Sequence, residues 1–318
     1  MQLKLHLPIG IFTIIALVAG CSPSNRVETT PTKTLIVASP AQSPTATNLP
    51  LLPTSIPTLS VEDTRQKMMY FLLENGGCKL PCIWGLAPNM LSEEREIYLS
   101  QFREISIPGF YSNSLYNEKR AVASVSAQFT NENTTTAVVV RAHEKSGQIE
   151  KILLRADAAN TDDLGIYKFG DPYYIDLTQY YQLPNMLLNY GMPTRVLFAA
   201  WQLDPIWKAP YDPMSLVLIY DDLGVMVEYV FPAEKIDKSL KGCPIGGKIN
   251  LFAWSKEADL SLEDVVSINP NNEGIQPISI TRYKSIDDAT TLTLDDFYRN
   301  FLSPDTCLIT PVELWPPT

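Results

Sequence analysis

Hydrophobic and polar positions change rhythm several times along the 318 residues. Leu7 to Val18 is an apolar run of roughly 12 residues, against the ~20 that a spanning helix needs. Residues 22–60 carry 7 Pro, 8 Thr and 6 Ser. Such a stretch has too little apolar surface to offset its ordering entropy, so a disordered, extended tether is expected. Helical rhythm starts at Ser60-Val61-Glu62-Asp63, a capping-box pattern. Val61, Thr64, Met68 and Leu72 follow at helical spacing, with Phe71 widening the stripe. Asn75-Gly76-Gly77 predicts the stop, because glycine alone enters the left-handed region cheaply. Ser92 is expected to cap a second helix whose Tyr98, Phe102 and Ile105 share a face.

The period then shortens. Residues 119–129 alternate as a strand. Ala137 to Val140 and Ile152 to Leu154 flank Gly147 and predict a hairpin. Past the polar break at Asn160 to Asp163 the theme returns. Leu183 to Tyr190 predicts a helix with Pro184 in its first turn, and Arg195 to Gln202 a strand. Leu216 to Tyr220 and Val225 to Phe231, joined by Asp221-Asp222-Leu223-Gly224, predict a tight hairpin. Ile249 to Trp254 and Ile278 to Tyr283 are further strand candidates. Ser261 to Asp264 and Thr293 to Asp296 are further helix starts. The expected fold class is α+β, with two similar lobes, residues 61–160 and 161–318. Each lobe would hold an antiparallel sheet with a helix packed on one face.

Charge narrows the partners. There are 35 acidic against 25 basic residues, a net −10. An acidic body disfavours nucleic acid and electrostatic adsorption to anionic lipid, so membrane attachment requires an anchor. Val18-Ala19-Gly20-Cys21 resembles the lipobox of bacterial lipoproteins. That resemblance implies a signal peptide over 1–20, removal of that peptide, and acylation of Cys21 as the new N-terminus. Several acyl chains, at ~0.8 kcal/mol per buried methylene, hold a chain firmly to a bilayer. The expected location is extracytoplasmic, on the cell envelope.

Two phrases resemble BamE/SmpA-like lipoproteins. Trp84-Gly85-Leu86-Ala87-Pro88-Asn89-Met90 is similar to that family's G-x-x-P-G-M-T phrase. Leu187 to Val196, containing Gly191-Met192-Pro193, is similar to its L-G-x-P-x-x-V phrase. Asn89 replaces a glycine and Leu91 a threonine, and the phrases cover under a tenth of the chain. The resemblance implies small α+β binding modules, here in tandem.

Cysteines and aromatic residues supply the remaining candidates. Outside the cytoplasm, Cys78, Cys82, Cys243 and Cys307 are expected to form two disulfides. Proximity pairs Cys78 with Cys82 and leaves Cys243 for Cys307, although four cysteines allow three pairings. A copper site on Cys78, Cys82 and His143, or a zinc site adding Cys243 and Cys307, is the competing reading. With His6 leaving in the signal peptide, His143 is the single imidazole available to a nucleophilic site, and it has charged neighbours. No catalytic residue, metal or cofactor is therefore assigned. The pairs Asp162-Asp163, Asp221-Asp222, Asp287-Asp288 and Asp295-Asp296 suit turns and caps better than a catalytic dyad. Trp201, Trp207 and Tyr180 are candidate rings for a sugar platform, with core packing as the competing reading. The expected function is a non-catalytic binding or scaffold module with a protein partner. A carbohydrate-binding or carbohydrate-acting protein is the alternative.

Overall fold

The computed structural model describes residues 59–100, 110–117, 120–131, 133–161, 167–202, 212–257 and 282–317. Helix α1 spans Val61–Glu74, and the Ser60 hydroxyl accepts the Asp63 N–H at 3.1 Å. Its inner stripe is Thr64, Met68, Phe71 and Leu72, all buried. Asn75 ends it in the left-handed region, at φ 53°, ahead of Gly76 and Gly77. Helix α2 (Ser92–Ser100) has Ser92 inside its first turn rather than as a preceding cap, and that hydroxyl donates to Glu144 at 2.9 Å. Phe102 and Ile105 lie outside the described residues.

Two short helices missing from the sequence reading frame the middle of the chain. One is α3 (Pro172–Leu177), and the other is a 3-10 turn at Gln179–Tyr181. Helix α4 (Leu183–Tyr190) carries Pro184 in its first turn as expected and is followed by Gly191 at φ 76°. Near the C-terminus lie α5 (Ile286–Ala289) and α6 (Leu294–Asn300). Thr293 and Asp296 complete the expected capping box of α6.

The strands are β1 (Phe110–Asn117), β2 (Arg120–Asn131), β3 (Thr134–Lys145) and β4 (Gln148–Asn160). Then come β5 (Arg195–Ala200), β6 (Asp212–Tyr220), β7 (Val225–Ile236), β8 (Ser239–Gly242) and β9 (Lys248–Trp254). Short β10 (Lys284–Ser285) and β11 (Leu308–Pro311) complete them. They form one antiparallel sheet in the order β1-β2-β3-β4-β9-β7-β6-β5-β10, and β7 also continues into β8 and β11.

Both expected hairpins are present, but the expected two lobes with a sheet each are not. β4 pairs with β9 from Lys151↔Trp254 to Ala156↔Ile249, and β9 pairs in turn with β7. The inner edges of both hairpins are thus hydrogen-bonded into a continuous sheet, which removes two exposed strand edges.

Alternation along the strands assigns the faces. Ile152, Leu154 and Ala156 of β4 and Ile249, Leu251 and Ala253 of β9 join the core that also contains residues of α1, α3, α4, α5 and α6. The opposite face holds a smaller apolar group, Leu153, Val217, Ile219, Met226 and Phe252. Alternation with Val138, Val140 and Ala142 puts Glu144 on the helix side, where it forms a buried ion pair with Arg95, and the register shift beside it takes up one extra residue, Glu150, in β4.

Two segments enter the sheet alike. Asn89, at φ 71°, donates its N–H to the Ile149 carbonyl at 2.8 Å. Gly170, at φ 70°, donates to the Gly246 carbonyl at 3.2 Å. At the second crossing a Cβ on Gly246 would stand 2.6 Å from the Gly170 Cα, so the approach requires glycine.

Candidate functional site

The cysteine turn is built around Asn75. Its left-handed backbone points a fully buried side chain into the turn. Nδ2 donates to the carbonyls of Cys78 and Cys82, both at 2.8 Å. Oδ1 accepts from the Trp84 N–H at 3.2 Å and the Tyr181 hydroxyl at 2.8 Å. The Cys78–Cys82 disulfide closes the turn. Trp84 is seated below it, stacked on Phe71 with centroids 5.4 Å apart, and its Nε1 donates to the Tyr181 hydroxyl.

A cleft of ≈ 400 Å³ opens beside this turn, lined in part by Glu74, Cys78, Lys79, Tyr180, Asn189 and Tyr190. The Tyr180 and Tyr190 hydroxyls are hydrogen-bonded to each other. Burial, reinforced by Tyr190, pushes the Tyr180 hydroxyl well above the usual tyrosine range.

The two candidate rings within the described residues, Tyr180 and Trp201, do not line one cleft. Tyr180 lines this cleft, and Trp201 is not among its lining residues. Trp201 packs edge-on against Tyr283, 6.0 Å between centroids, with the Arg282 guanidinium 5.9 Å from its ring. Trp207 and the lipidation candidate Cys21 lie outside the described residues.

The cysteines form two disulfides, Cys78–Cys82 and Cys243–Cys307. Disulfides occupy the thiols that the copper and zinc readings required. His143 is buried on β3, in register with Lys151 of β4. Among the described residues no group of three His, Cys, Asp or Glu side chains could hold a metal ion. The carboxylate pairs within the described residues are local structure; Asp162 and Asp163 lie outside them. Asp221 pairs with Arg195 through two bonds, Asp288 accepts from Ser285, and Asp296 closes the α6 cap.

Sequence reasoning missed a second cluster, on the face opposite the helices where β4, β9, β7 and β6 adjoin. Across that face Arg155 is opposite Asn250, and Asn250 is opposite Glu228. Glu228 is 5% exposed. It accepts from the Ser215 hydroxyl at 2.7 Å, the Tyr283 hydroxyl at 3.0 Å and the Asn250 amide at 2.7 Å. Arg155 donates through Nε to Asp157 at 2.7 Å and through a terminal nitrogen to the Tyr167 hydroxyl at 3.3 Å. Lys248 Nζ lies 5.6 Å from the centre of the Tyr167 ring. Burial, then the nearby Arg155 charge, lower the Lys248 pKa, while Asp157 and Glu228 oppose the shift.

Burial is graded across this cluster. Asn250 and Glu228 are buried, and the Arg155 and Asp157 side chains are 20% and 12% exposed. Asn250 is 3% exposed, and its Oδ1 has no hydrogen-bond partner. The available signal was polar residues set into apolar strands: Arg155 and Asp157 in β4, Glu228 in β7, Asn250 in β9.

No protein-family model, curated protein or solved structure matches the chain.

Proposed function

We propose that the chain is an extracytoplasmic lipoprotein anchored through acylated Cys21, whose body is a non-catalytic binding module of two tandem units. The observation that carries the binding reading is the seam cluster. A buried acceptor, Asn250 Oδ1, lacks a donor among polar groups of which Arg155 and Asp157 are partly exposed, and such a group normally costs about 1–3 kcal/mol unless something satisfies it. The carboxylate beside it, Glu228, is held by three hydrogen bonds, which suits a fixed wall better than a proton-shuttling group. Two disulfides fit an oxidising compartment outside the cytoplasm.

The tandem reading has its own support. One unit runs α2-β1-β2-β3-β4, and the other runs α3-α4-β5-β6-β7-β9 with β8 inserted. They meet through their last strands, each preceded by a left-handed residue bonded to that strand's entrance. Lys151-Ile152-Leu153-Leu154-Arg155-Ala156 and Lys248-Ile249-Asn250-Leu251-Phe252-Ala253 share four of six residues. The shared Ile, Leu and Ala face the helices, and Leu154 pairs directly with Leu251. The intervening positions face the other way and differ: Leu153 against Asn250, Arg155 against Phe252. Core-facing residues are retained where packing demands them, and the free face has diverged into the polar site.

A two-armed experiment tests the function. Cells are fed an alkynyl fatty acid, and the wild type is compared with Cys21→Ser for label and membrane retention. The full chain in detergent is then titrated with solubilised glycan, lipid and protein fractions of the envelope while the Asn250 side-chain amide is followed by NMR. Label and retention should be lost in the variant, and one fraction should shift the amide saturably. Undiminished label in Cys21→Ser contradicts the anchor. An amide indifferent to every fraction contradicts the binding site.

A further inference from the structure

We infer that the seam site takes a neutral, hydroxyl-rich ligand, a mono- or oligosaccharide, held between Asn250, Arg155, Asp157, Lys248 and the Tyr167 ring. This rests on the binding-module reading and names the ligand class of its site. Charge comes first. The cluster holds two cations, Arg155 and Lys248, and two carboxylates, Asp157 and Glu228, so it offers no net attraction to an ion of either sign. That balance disfavours phosphate, carboxylate and metal ligands, which need an excess of one sign. A neutral ligand must instead be recognised by hydrogen bonds.

The hydrogen-bonding groups of the cluster are of both kinds. Asn250 Oδ1 is an acceptor without a partner and requires a donor. Asp157 is an acceptor with lone pairs beyond its one bond from Arg155. The Arg155 guanidinium has five N–H donors, of which the bonds to Asp157 and Tyr167 use two. Lys248 adds an ammonium. A hydroxyl both donates and accepts, so adjacent sugar hydroxyls match this alternation better than an amine, which only donates, or a carboxylate, which only accepts.

The third element is aromatic. The Tyr167 ring, with Lys248 5.6 Å from its centre, provides an apolar plane beside the polar groups. Ligand sites of this kind combine such a plane with a few fixed polar groups. The polar groups sit on hydrogen-bonded strands of one sheet, β4 and β9, so their spacing is set by the register and needs little reorganisation on binding. Asn250 is 3% exposed, so a ligand hydroxyl reaches its Oδ1 only if neighbouring side chains shift, and the Arg155 side chain, at 20%, is the more exposed of the two.

The test uses the acylated full chain in detergent, labelled with 15N at asparagine and arginine. Glucose, N-acetylglucosamine and chitobiose are titrated at millimolar concentration, where weak sugar sites saturate. At least one sugar should shift the Asn250 side-chain amide and the Arg155 Nε–H saturably. Asn250→Leu and Arg155→Met should each weaken that sugar roughly tenfold, and Arg155→Lys should fall between, since it keeps the charge and loses the fork. Unfolding midpoints are measured in parallel, so that a misfolded variant is recognised and replaced by the titration of wild type alone. No saturable shift in folded wild type with any of the three sugars overturns the inference. So does unchanged affinity in a folded Asn250→Leu. If the sugars fail while a lipid or protein fraction of the envelope still shifts the Asn250 amide, the ligand class is wrong and the binding-module reading stands.

Discussion

Replacing Asn75 should be among the most destabilising single changes outside the sheet. The residue is fully buried and holds four partners: two carbonyls, one backbone N–H and one hydroxyl. At about 1 kcal/mol net per hydrogen bond, Asn75→Gly should cost about 4 kcal/mol. Glycine keeps the φ of 53° without strain, so this variant isolates the side chain. Asn75→Ala should cost about 1 kcal/mol more, because a Cβ is disfavoured in the left-handed region. Asn75→Asp keeps the two accepting contacts but aims a carboxylate at the Cys78 and Cys82 carbonyls, and should be worse at neutral than at acid pH. Urea unfolding followed by tryptophan fluorescence measures all three, since Trp84 is seated on this turn. Gly and Ala variants within ~1 kcal/mol of wild type would refute the reasoning, because losing four buried bonds cannot be that small.

Other outcomes follow from the same contacts. Arg95→Met should cost about 3–5 kcal/mol by stranding buried Glu144, and adding Glu144→Leu should recover most of it; equal costs in single and double variants would contradict the pairing. Removing Cys243–Cys307, which spans 64 residues, should cost ~4 kcal/mol and speed hydrogen exchange in α6, whereas removing Cys78–Cys82 should cost ~2 kcal/mol and leave α6 protected. Burial pushes the hydroxyls of Tyr174, Tyr181, Tyr229 and Tyr283 well above the tyrosine value. A raised folded pKa means that this stability is whole below pH ~10 and is lost as pH climbs past it. Phenolate absorbance should therefore show a late, unfolding-linked group of tyrosines; a single transition near pH 10 with the fold intact would contradict it.

Local order was legible in the sequence where one chemical rule decided it. The Ser60 and Thr293 caps, the stop at Asn75, and the turns at Gly147 and Gly224 depend on neighbours within a few residues. The β4–β9 pairing does not, because any apolar strand of alternating face could have met Ile249 to Trp254. Without that pairing the two hairpins resemble separate lobes. The short helix α3 was hidden because Asp171-Pro172 signals a turn as readily as a helix start, and β8 because four residues are too few for a period to show. The seam cluster was missed for the same reason as the pairing. Arg155, Glu228 and Asn250 lie on three strands and become one site once the register is known. Tyr180 was visible as an aromatic residue, but its neighbours Cys78 and Tyr190 come from two other segments.

The proposed tandem plan puts two units in one sheet, with the helix-facing side held to common packing rules and the other side free to differ. A substitution scan of β4 and β9, read out by the fraction of folded full-length protein, tests it most directly. Tolerance at Ile152, Leu154 and Ala156 should match that at Ile249, Leu251 and Ala253, position for position and for the same replacement residues. Tolerance at Leu153 and Arg155 should differ from that at Asn250 and Phe252. If the helix-facing profiles agree no better in this frame than when one strand is shifted by two residues, which keeps the same face, the two units are not copies of one plan.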